Sequence, residues 1–338
     1  MRVGIIGAGL QGWRRAPALK ACADAGLAVV GSAHLAAARR LAAELDGCDA
    51  VEGWEAVVER PGLDAVIVCT PPHLHARISI AAMERGLHVL CEKPLARTLA
   101  EAEAMVDAAT RAGVVLKCGF NHRHHPGIQL ARRWLDEGRI GEPIFLRCCY
   151  GIGGRPGYEK EWRADPRLVG GGQLMEQGIH AVDLARWFLG ELTAVTAMLS
   201  TGFWPVQPLE DNAFVLYRAA GGAMASIHSS LTQWKNLFSL EVYGQDGYAT
   251  VEGLGSAYGT ERAVLGRRDF EAPFGEEIVE FRGPDRSWQE EWREFAAATG
   301  NGGRPLGDGR DGLEAMRLVC AAYRAAREGR ALCLPIGA

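Results

Sequence analysis

The most constraining feature of this sequence is a glycine pattern that follows a short apolar run near the first residue. Residues 3–6 (VGII) form the run, and the glycines after it have the spacing G-x-G-x-x-G. Between a strand and a helix, the first glycine allows a tight turn, the second lets the backbone approach a pyrophosphate, and the third allows close helix–strand packing. The free N–H groups at the start of that helix favour phosphate oxygens. The residues expected to hold a dinucleotide there are Gly7, Gly9, Leu10, Gln11 and Gly12.

The first third of the chain alternates short apolar runs with segments whose apolar residues recur at helical spacing. The runs lack apolar–polar alternation, so we expect helices to cover both faces of their sheet. The pattern predicts a doubly wound parallel sheet, a Rossmann domain, over residues 1–122. The expected strands are Val3–Ile6, Ala28–Gly31, Ala65–Cys69, His88–Cys91 and Val114–Gly119. The expected helices are Gln11–Ala25, Leu35–Leu45, Leu74–Arg85 and Leu99–Ala112.

The rest of the chain, residues 123–338, contains several strand-like runs separated by glycine turns, which favour antiparallel hairpins. The pattern therefore predicts an α+β domain with an open, mostly antiparallel sheet. The expected helices are Gly127–Glu137, Gln173–Leu189, Trp288–Thr299 and Gly312–Glu328. The expected strands are Ile144–Tyr150, Val195–Phe203, Ala213–Tyr217, Ala223–Ser230, Phe238–Tyr243 and Tyr248–Glu252.

Composition argues against several classes of protein. No apolar run reaches the ~18 residues that a membrane-spanning helix needs, and a net charge of −4 does not supply the basic field of a nucleic-acid binder. Nine cysteines without paired spacing are typical of reduced thiols in the cytoplasm rather than of a disulfide framework. The first residues lack the apolar stretch and cleavage site of a signal peptide. We therefore expect a cytoplasmic protein that binds neither membranes nor nucleic acids.

The end of the second expected strand bears on which dinucleotide is bound. An Asp or Glu there would bind the 2′-hydroxyl of the adenosine ribose, but the sequence is Gly31-Ser32-Ala33-His34. Without a carboxylate nothing repels a 2′-phosphate, and Ser32 can donate a hydrogen bond to one of its oxygens. The sequence therefore favours NADP over NAD, while the alternative, in which Ser32 hydrogen-bonds the ribose of NAD, stays open.

Three further segments carry a specific resemblance. They are Cys69–His75 (CTPPHLH), Gly86–Ala96 (GLHVLCEKPLA) and Gly170–Asp183 (GGGQLMEQGIHAVD). In this order, together with the glycine pattern, they resemble the Gfo/Idh/MocA oxidoreductases, the family of glucose–fructose oxidoreductase and inositol dehydrogenase. The resemblance covers nearly the whole chain.

The resemblance implies a Rossmann domain that binds NAD or NADP, and a sheet domain that binds the substrate and forms homodimers or homotetramers. It implies hydride transfer between the nicotinamide and a hydroxyl or ketone of a sugar, inositol or related polyol. The lysine of the EKP segment and the histidine of the GGG segment are the family's polar catalytic pair, and they correspond to Lys93 and His180. The carboxylate four residues before this histidine is usually an aspartate, and here Glu176 keeps the charge with a longer reach.

The residues themselves point to the same chemistry. Lys93 comes just after an expected parallel strand, at the edge where open α/β sheets bind ligands, and its amine can bond or deprotonate a substrate hydroxyl. Glu176, His180 and Asp183 lie at i, i+4 and i+7 on one face of an expected helix, and His180 can carry a proton near neutral pH. Two ligands at i and i+4 can begin a metal site, but no third ligand with suitable spacing joins them, so we expect no metal.

Other polar residues at strand ends and in loops complete the candidate site. Thr70, Pro71 and His75 are expected to line the nicotinamide. Glu92 is expected to orient the backbone or the neighbouring lysine beside the cofactor. The candidate substrate-binding residues are Asn121, Arg123, Arg163 and Asp183.

Two other functions fit the same motifs. A sugar hydrolase or epimerase that keeps its nucleotide bound would oxidise, eliminate or invert, and reduce again, with no net change in the absorbance of reduced nicotinamide. A regulator that binds nucleotide and sugar would show no turnover, although the presence of both Lys93 and His180 argues against it. The substrate itself depends on the loops Gly151–Gly172 and Leu231–Asn236, whose conformation the sequence does not determine.

Overall fold

The computed structural model describes residues 1–22, 25–271 and 275–335, which form two compact units. The first unit comprises Met1–Asn121, Arg167–Gly170 and Arg286–Glu314, and the second comprises His122–Pro166, Gly171–Asp285 and residues 315–335. The sequence pattern divides the chain once, between residues 122 and 123. In the structure the first unit also takes in two later segments of the chain.

The first unit contains a six-stranded sheet in which every neighbouring pair is parallel. Its order, β3-β2-β1-β4-β5-β6, is that of a doubly wound dinucleotide-binding sheet, so the predicted fold class is confirmed for this unit. All side chains of β4 are buried, as expected when helices cover both faces. The strands are β1 (Arg2–Ile6), β2 (Gly26–Ser32), β3 (Asp49–Glu52), β4 (Ala65–Val68), β5 (His88–Cys91) and β6 (Leu116–Cys118).

The helices between these strands are α1 (Leu10–Lys20), α2 (Leu35–Ala42), α3 (Glu55–Val58), α4 (Pro72–Glu84) and α5 (Leu99–Ala112). Helix α5 begins with a capping box, in which the Thr98 hydroxyl accepts from the Glu101 N–H and the Glu101 carboxylate accepts from the Thr98 N–H. Helix α1 is shorter than the predicted Gln11–Ala25, of which residues 23–24 lie outside the described part of the chain.

Helix α8 (Ser287–Asn301) belongs to the first unit although it follows the strands of the second in sequence. Its Trp292 and Phe295 are fully buried in the same hydrophobic cluster as Ile5 and Leu19. Fully burying a large apolar side chain contributes about 1.5–3 kcal/mol. A helix from late in the chain therefore completes the core of the dinucleotide-binding sheet.

The second unit contains a nine-stranded sheet with the order β14-β13-β12-β11-β7-β10-β9-β8-β15. Its neighbouring pairs are antiparallel except β7 and β10, which run parallel, so the predicted, mostly antiparallel sheet is confirmed. The strands are β7 (Pro143–Gly151), β8 (Leu192–Ser200), β9 (Asn212–Ala219), β10 (Met224–Ser230), β11 (Leu237–Gly244), β12 (Gly247–Glu252), β13 (Glu261–Arg267), β14 (Glu276–Phe281) and β15 (Leu332–Cys333).

Helices of the second unit cover one face of this sheet. Helix α6 (Pro126–Asp136) packs on β12 and β13, and α7 (Ile179–Leu189) packs on β7 and β10 near the centre. Helix α9 (Gly309–Glu328) is the last helix of the described chain. None of the described helices combines the length and hydropathy that a membrane span requires.

The sequence pattern missed several short or polar elements. β3 (DAVE) and α3 are only four residues long, and β15 has two. β13 and β14 place charged side chains among their apolar ones. β14 is the edge strand of the sheet and β13 is its neighbour, and charged side chains are typical of a sheet edge. Such strands lack the apolar density on which periodicity depends.

Candidate active site

The glycine turn after β1 adopts a conformation that requires glycine at its first and third positions. Gly7 has a φ of 111°, and its N–H donates to the Gly31 carbonyl oxygen at 2.8 Å. A Cβ on Gly7 would lie 2.7 Å from the Cys69 carbonyl carbon, and one on Gly12 would clash with the Gly7 carbonyl oxygen. A side chain at either position would therefore force β1, β4 and α1 apart.

Gly9, in contrast, borders open space, since a Cβ built there meets no atom of the described residues within 4 Å. Gly9 is the N-cap of α1 and no side chain caps it, so the first N–H groups of the helix are left for a ligand. Two buried oxygens, Gln11 Oε1 and Thr70 Oγ1, have no hydrogen-bond partner within the described ranges. Buried polar atoms without partners are uncommon and cost about 1–3 kcal/mol each. The residues of this edge therefore fit a bound dinucleotide.

Gly9→Ala is expected to weaken NADH binding without lowering the Tm of the ligand-free protein. The added methyl group meets no described protein atom, but it occupies the space through which phosphates reach α1. Overpacking costs about 1–3 kcal/mol, which is a roughly 5- to 150-fold rise in Kd. Calorimetric titration with NADH and a thermal melt measure the two quantities. Gly12→Ala is the control and should lower the Tm itself; wild-type NADH affinity in Gly9→Ala would contradict the assignment.

The end of β2 carries no carboxylate. The strand ends at Ser32, whose Oγ accepts a hydrogen bond from the His34 N–H at 3.4 Å. His34 and Arg39, at the beginning and middle of the following segment, are exposed. In NAD-specific sheets an acidic residue at this position excludes the 2′-phosphate of NADP. Here the edge offers a hydroxyl instead, with an imidazole and a guanidinium nearby.

Lys93 lies at the same edge of the sheet as the glycine turn. β5 ends at Cys91, which pairs with Val68 at the end of β4, and the Glu92 N–H donates to the Val68 carbonyl oxygen at 2.9 Å. Lys93 is half-buried between the buried Glu92 and Pro94. The carboxyl ends of parallel strands thus place the amine beside the dinucleotide cradle.

His75 ties the end of β4 to the segment that carries Lys93. Its side chain is 1% exposed, and its two ring nitrogens face the carbonyl oxygens of Pro94 at 2.9 Å and Thr70 at 2.7 Å. A neutral ring donates to only one of these oxygens, and a protonated ring donates to both. The structure thus shows His75 holding two loops together. That His75, Thr70 and Pro71 line the nicotinamide stays a prediction.

A buried ionic cluster lies behind Glu92. Arg15, from α1, is 0% exposed, and its Nε donates to Glu92 Oε1 at 2.8 Å while its Nη1 pairs with Glu291 of α8. Burial raises the pKa of the Glu291 carboxyl, and the Arg15 and Lys117 cations act in the opposite direction. The cluster joins the loop that carries Lys93 to two helices.

Asn121 also contacts α8. Its side chain is 4% exposed, and its Nδ2 donates to Ser287 Oγ at 2.9 Å, at the first residue of the helix. The structure therefore gives this amide a role in holding α8. The prediction that Asn121 binds substrate is not tested by this contact.

The three glycines before α7 are required by close packing. Within the first unit, a Cβ on Gly170 would lie 2.5 Å from the Arg97 carbonyl oxygen. Within the second unit, Cβ atoms on Gly171 and Gly172 would clash with Tyr323 and Glu210. The three glycines are therefore required because residues far away in the sequence pack closely against them.

Glu210 fixes the start of the helix that carries His180. Its carboxylate accepts hydrogen bonds from the Leu174 N–H at 2.9 Å, the Gly172 N–H at 3.2 Å and the Tyr323 hydroxyl at 2.8 Å. Burial raises the pKa of Glu210, although these donors lower it. A carboxylate at a helix N-terminus is favoured by the free N–H groups and the helix dipole. Sequence reasoning missed Glu210 and Tyr323, which belong to no local motif.

The helix after these glycines begins with a π-helical turn, Leu174–Gly178, and becomes α-helical at Ile179. Such wider turns, with i→i+5 bonds, are frequent at functional sites. The prediction that Glu176, His180 and Asp183 share one α-helical face is therefore corrected. His180 and Asp183 lie one turn apart on α7, whereas Glu176 lies in the π turn before it.

Two pairs of predicted site residues bind each other. Arg163 Nε donates to Glu176 Oε1 at 3.3 Å, with both side chains partly exposed. Arg123 binds Asp183 through Nε at 2.7 Å and Nη2 at 2.6 Å, and both are buried. The second pair has the two-pronged geometry of a strong guanidinium–carboxylate contact. It fixes the segment after β6 onto α7.

His180 is buried against a second imidazole. Its side chain is 4% exposed, and its ring stacks on the His122 ring with centroids 3.9 Å apart and an interplanar angle of 23°. The Tyr150 ring forms T-shaped pairs with both, with centroids 5.0 Å from that of His122 and 6.2 Å from that of His180. Sequence reasoning selected Asn121 and Arg123, on either side of His122, and missed His122 itself.

No group of three or more His, Cys, Asp or Glu side chains within the described ranges is arranged to hold a metal ion.

Comparison with known proteins identifies similar chains. Residues 1–120 match a family model described as an oxidoreductase family with an NAD-binding Rossmann fold, and residues 128–250 match the GFO/IDH/MocA C-terminal domain. The chain is 33% identical over 238 residues to levoglucosan dehydrogenase from Pseudarthrobacter phenanthrenivorans, covering 62% of this chain and 60% of that protein. It is 31% identical over 283 residues to 1,5-anhydro-D-fructose reductase from Ensifer adhaerens, covering 83% of each. The solved structure of levoglucosan dehydrogenase in complex with NADH superposes with a TM-score of 0.91 at 26% identity, over 99% of both chains.

Proposed function

Since the chain belongs to the Gfo/Idh/MocA family of oxidoreductases, we propose that Lys93 and His180 carry out its chemistry on a cyclic sugar or polyol. The protein is a nicotinamide-dependent oxidoreductase that transfers hydride to or from a hydroxyl or ketone of a sugar, inositol or related polyol. The observation that carries the residue assignment is the sheet edge of the first unit. There, an open dinucleotide cradle at Gly9 and the half-buried Lys93 follow strands of one parallel sheet.

The chain's own residues handle the proton and the charge on oxygen. A bound nicotinamide would supply the hydride acceptor for oxidation and the hydride donor for reduction. His180 takes the proton of the reacting hydroxyl on a ring nitrogen, because an imidazole exchanges protons near neutral pH. Lys93 Nζ can donate a hydrogen bond to a substrate oxygen and stabilise the negative charge that develops there. Glu176, held by Arg163, accepts a hydrogen bond from a neighbouring substrate hydroxyl.

The proposed cofactor is NAD(H), with NADP(H) accepted as well. NADH bound to levoglucosan dehydrogenase supports the first part, and the hydroxyl of Ser32 in place of a carboxylate supports the second. The sequence-based preference for NADP over NAD stays a prediction.

Ser32→Asp is expected to weaken NADPH binding far more than NADH binding. A carboxylate about 4 Å from a phosphate charge is repelled by about 1–4 kcal/mol, depending on exposure, which corresponds to a roughly 5- to 1,000-fold rise in Kd. Fluorescence titration with each reduced cofactor measures the selectivity. Ser32→Ala removes the hydroxyl without adding charge and serves as the control. Equal losses for both cofactors in Ser32→Asp would place the ribose elsewhere.

The proposed substrate class is tested by a panel of levoglucosan, 1,5-anhydro-D-fructose, myo-inositol and glucose with NAD and NADH. Net change in the absorbance of reduced nicotinamide is expected with at least one of them. Conversion of a sugar without that change would favour the hydrolase or epimerase alternative. Binding of nucleotide and sugar without conversion across a wider panel would favour the regulator.

We also infer that the chain forms a homo-oligomer through the open face of the nine-stranded sheet. On that face Met198, Phe214, Leu216 and Met224 are 79%, 56%, 42% and 45% exposed. Met198 pairs directly with Phe214, and Leu216 lies two residues further along β9 on the same side. Neighbouring exposed apolar side chains are typical of an association surface. Light scattering distinguishes the expected homodimer or homotetramer from a monomer.

The proposed compartment is the cytoplasm. All nine cysteines are free thiols in the structure, as expected where glutathione keeps thiols reduced. Tagging the chain in living cells tests the location directly.

A further inference from the structure

We propose that His122 is a positioning residue for the proton transfer and that the stacked His122 and His180 rings hold at most one proton between them. This inference rests on the proposed role of His180 as proton carrier. It assigns a task to a residue that belongs to neither the EKP nor the GGG motif.

The two rings are in close contact and are buried from solvent. The ring centroids are 3.9 Å apart, the planes are inclined by only 23°, and both side chains are 4% exposed. Tyr150 and Phe238 pack against His122 in T-shaped arrangements, with ring centroids 5.0 Å and 5.7 Å away. Because aromatic rings enclose His122 on several sides, its own plane is fixed, and it fixes the plane of His180 in turn.

The backbone around His122 is held to the same helix. His122 lies in the short 3-10 helix Asn121–His124, and the next residue, Arg123, grips Asp183 with two hydrogen bonds. Asp183 follows His180 by three residues, so both contacts fall on one side of α7. The segment and the helix are therefore joined at two adjacent points, and the ionic pair holds the backbone that carries His122 close to α7.

Other titratable groups lie on the elements that carry the two rings. Arg123 and Asp183 pair with each other. The His125 ring, whose centroid is 5.6 Å from that of His122, has its Nδ1 3.0 Å from Glu261 Oε2. The titratable and charged groups on these elements, or in contact with groups on them, are Arg123, Asp183, Glu176, Arg163, His125, Glu261, Asp285 and Tyr150.

Two protonated imidazoles at this distance would place like charges in contact inside a buried site, which is unfavourable. The pair therefore binds a first proton more readily than a second, and the two rings titrate in coupled steps. In oxidation the substrate O–H bond breaks and an N–H bond forms on His180, while a bound nicotinamide would accept the hydride from the carbon. The neutral form of His180 is the one that accepts this proton, and the neighbouring ring favours it by opposing double protonation.

The first test is a histidine ring 15N NMR titration of the wild type and His122→Phe. Phenylalanine keeps a stacked ring of similar size and removes the second titratable group. The His180 midpoint is expected to rise by roughly half to one pH unit in His122→Phe, and its titration should become a single step. An unchanged His180 curve would overturn the coupling between the two rings. His88→Gln, at the opposite end of β5, is the control and should leave the His180 curve unchanged.

The second test separates positioning from general structure. His122→Ala is expected to lower kcat roughly tenfold or more through loss of ring orientation, with KM for levoglucosan, or for the panel sugar that turns over fastest, little changed. His122→Phe should restore kcat, because the stacked ring returns. Wild-type kcat in a folded His122→Ala would overturn the positioning role. If His122→Ala does not fold, a wild-type kcat in His122→Phe alongside a changed His180 titration still supports the proposal, and an unchanged titration still rejects it.

The same measurements distinguish this inference from the proposed function. If His180→Ala keeps full turnover while the coupled titration is seen, His180 is not the proton carrier and the proposed function fails on that point. If His180→Ala loses turnover while the His180 titration ignores His122, the proposed function stands and the present inference fails.

Discussion

Lys93→Ala is expected to lower kcat by about 100-fold or more while leaving the Kd for NADH unchanged. Loss of acid–base or electrostatic assistance at a reacting oxygen costs about 10²- to 10⁴-fold. Binding of the dinucleotide depends instead on the turn at Gly7 and Gly9 and on the N-terminus of α1. The substitution therefore separates turnover from cofactor affinity, which stopped-flow absorbance and calorimetry measure.

Lys20→Ala is the matched control for this experiment. Lys20 belongs to the same unit, is half exposed, and pairs with the exposed Asp46 at 3.2 Å, so its loss should leave kcat unchanged. His180→Ala should match the loss in Lys93→Ala. The double variant should lose less than the product of the two single effects, because the effects of groups proposed to act as one catalytic unit are not additive. Near-normal turnover in both single variants would remove this assignment.

Arg15→Met is expected to reduce the free energy of unfolding by about 3–5 kcal/mol, the cost of breaking a buried ion pair by removing one partner. The substitution leaves Glu92 and Glu291, 3% and 0% exposed, without the cation that lies between them. Methionine keeps the volume of the aliphatic stem, so the loss is chiefly electrostatic. Urea unfolding measures the change. Arg293→Met, on the exposed Arg293–Glu290 pair of α8, should cost about 0–1 kcal/mol.

The destabilisation of Arg15→Met should shrink as the pH falls from neutral. Burial raises the pKa of Glu291 above its ordinary value, and Arg15 acts against that rise. Without Arg15 the folded state takes up a proton more readily than the unfolded state, so its stability increases as the pH falls toward the raised pKa. Adding Glu291→Gln should likewise recover part of the loss at neutral pH. A deficit that stays constant with pH, and is not relieved in the double variant, would contradict the electrostatic origin.

The parts of this molecule that the sequence predicted are those written in local patterns. The glycine turn is specified by three nearby residues, and the position of Lys93 follows from the end of one buried strand. The doubly wound parallel sheet was predictable because apolar strands alternate with helices. α7 was recognised from its helical spacing, and Lys93 and His180 were singled out with the help of a family resemblance.

The parts that the sequence did not predict depend on contacts between distant residues. Arg15 and Glu291 are 276 residues apart, and Glu210 caps a helix that begins 36 residues earlier in the chain, at Leu174. The π turn at Leu174–Gly178 changes the direction of Glu176 with no signal in the apolar spacing. A stacked pair such as His122 and His180 forms only when two segments are packed together. The sequence pattern alone therefore did not distinguish His122 from the other polar residues of its loop.

The late position of α8 has a consequence for how the protein is made. Trp292, Phe295 and Glu291 leave the ribosome after every strand of the second unit from β7 to β14, yet their places are in the core around Ile5 and beside Arg15. Until they arrive, the nascent six-stranded sheet presents an uncovered apolar surface and a half-neutralised guanidinium. The ribosome must therefore translate past residue 295 before the core of the first unit can be completed. A chain whose translation stalls earlier lacks the helix that covers this core.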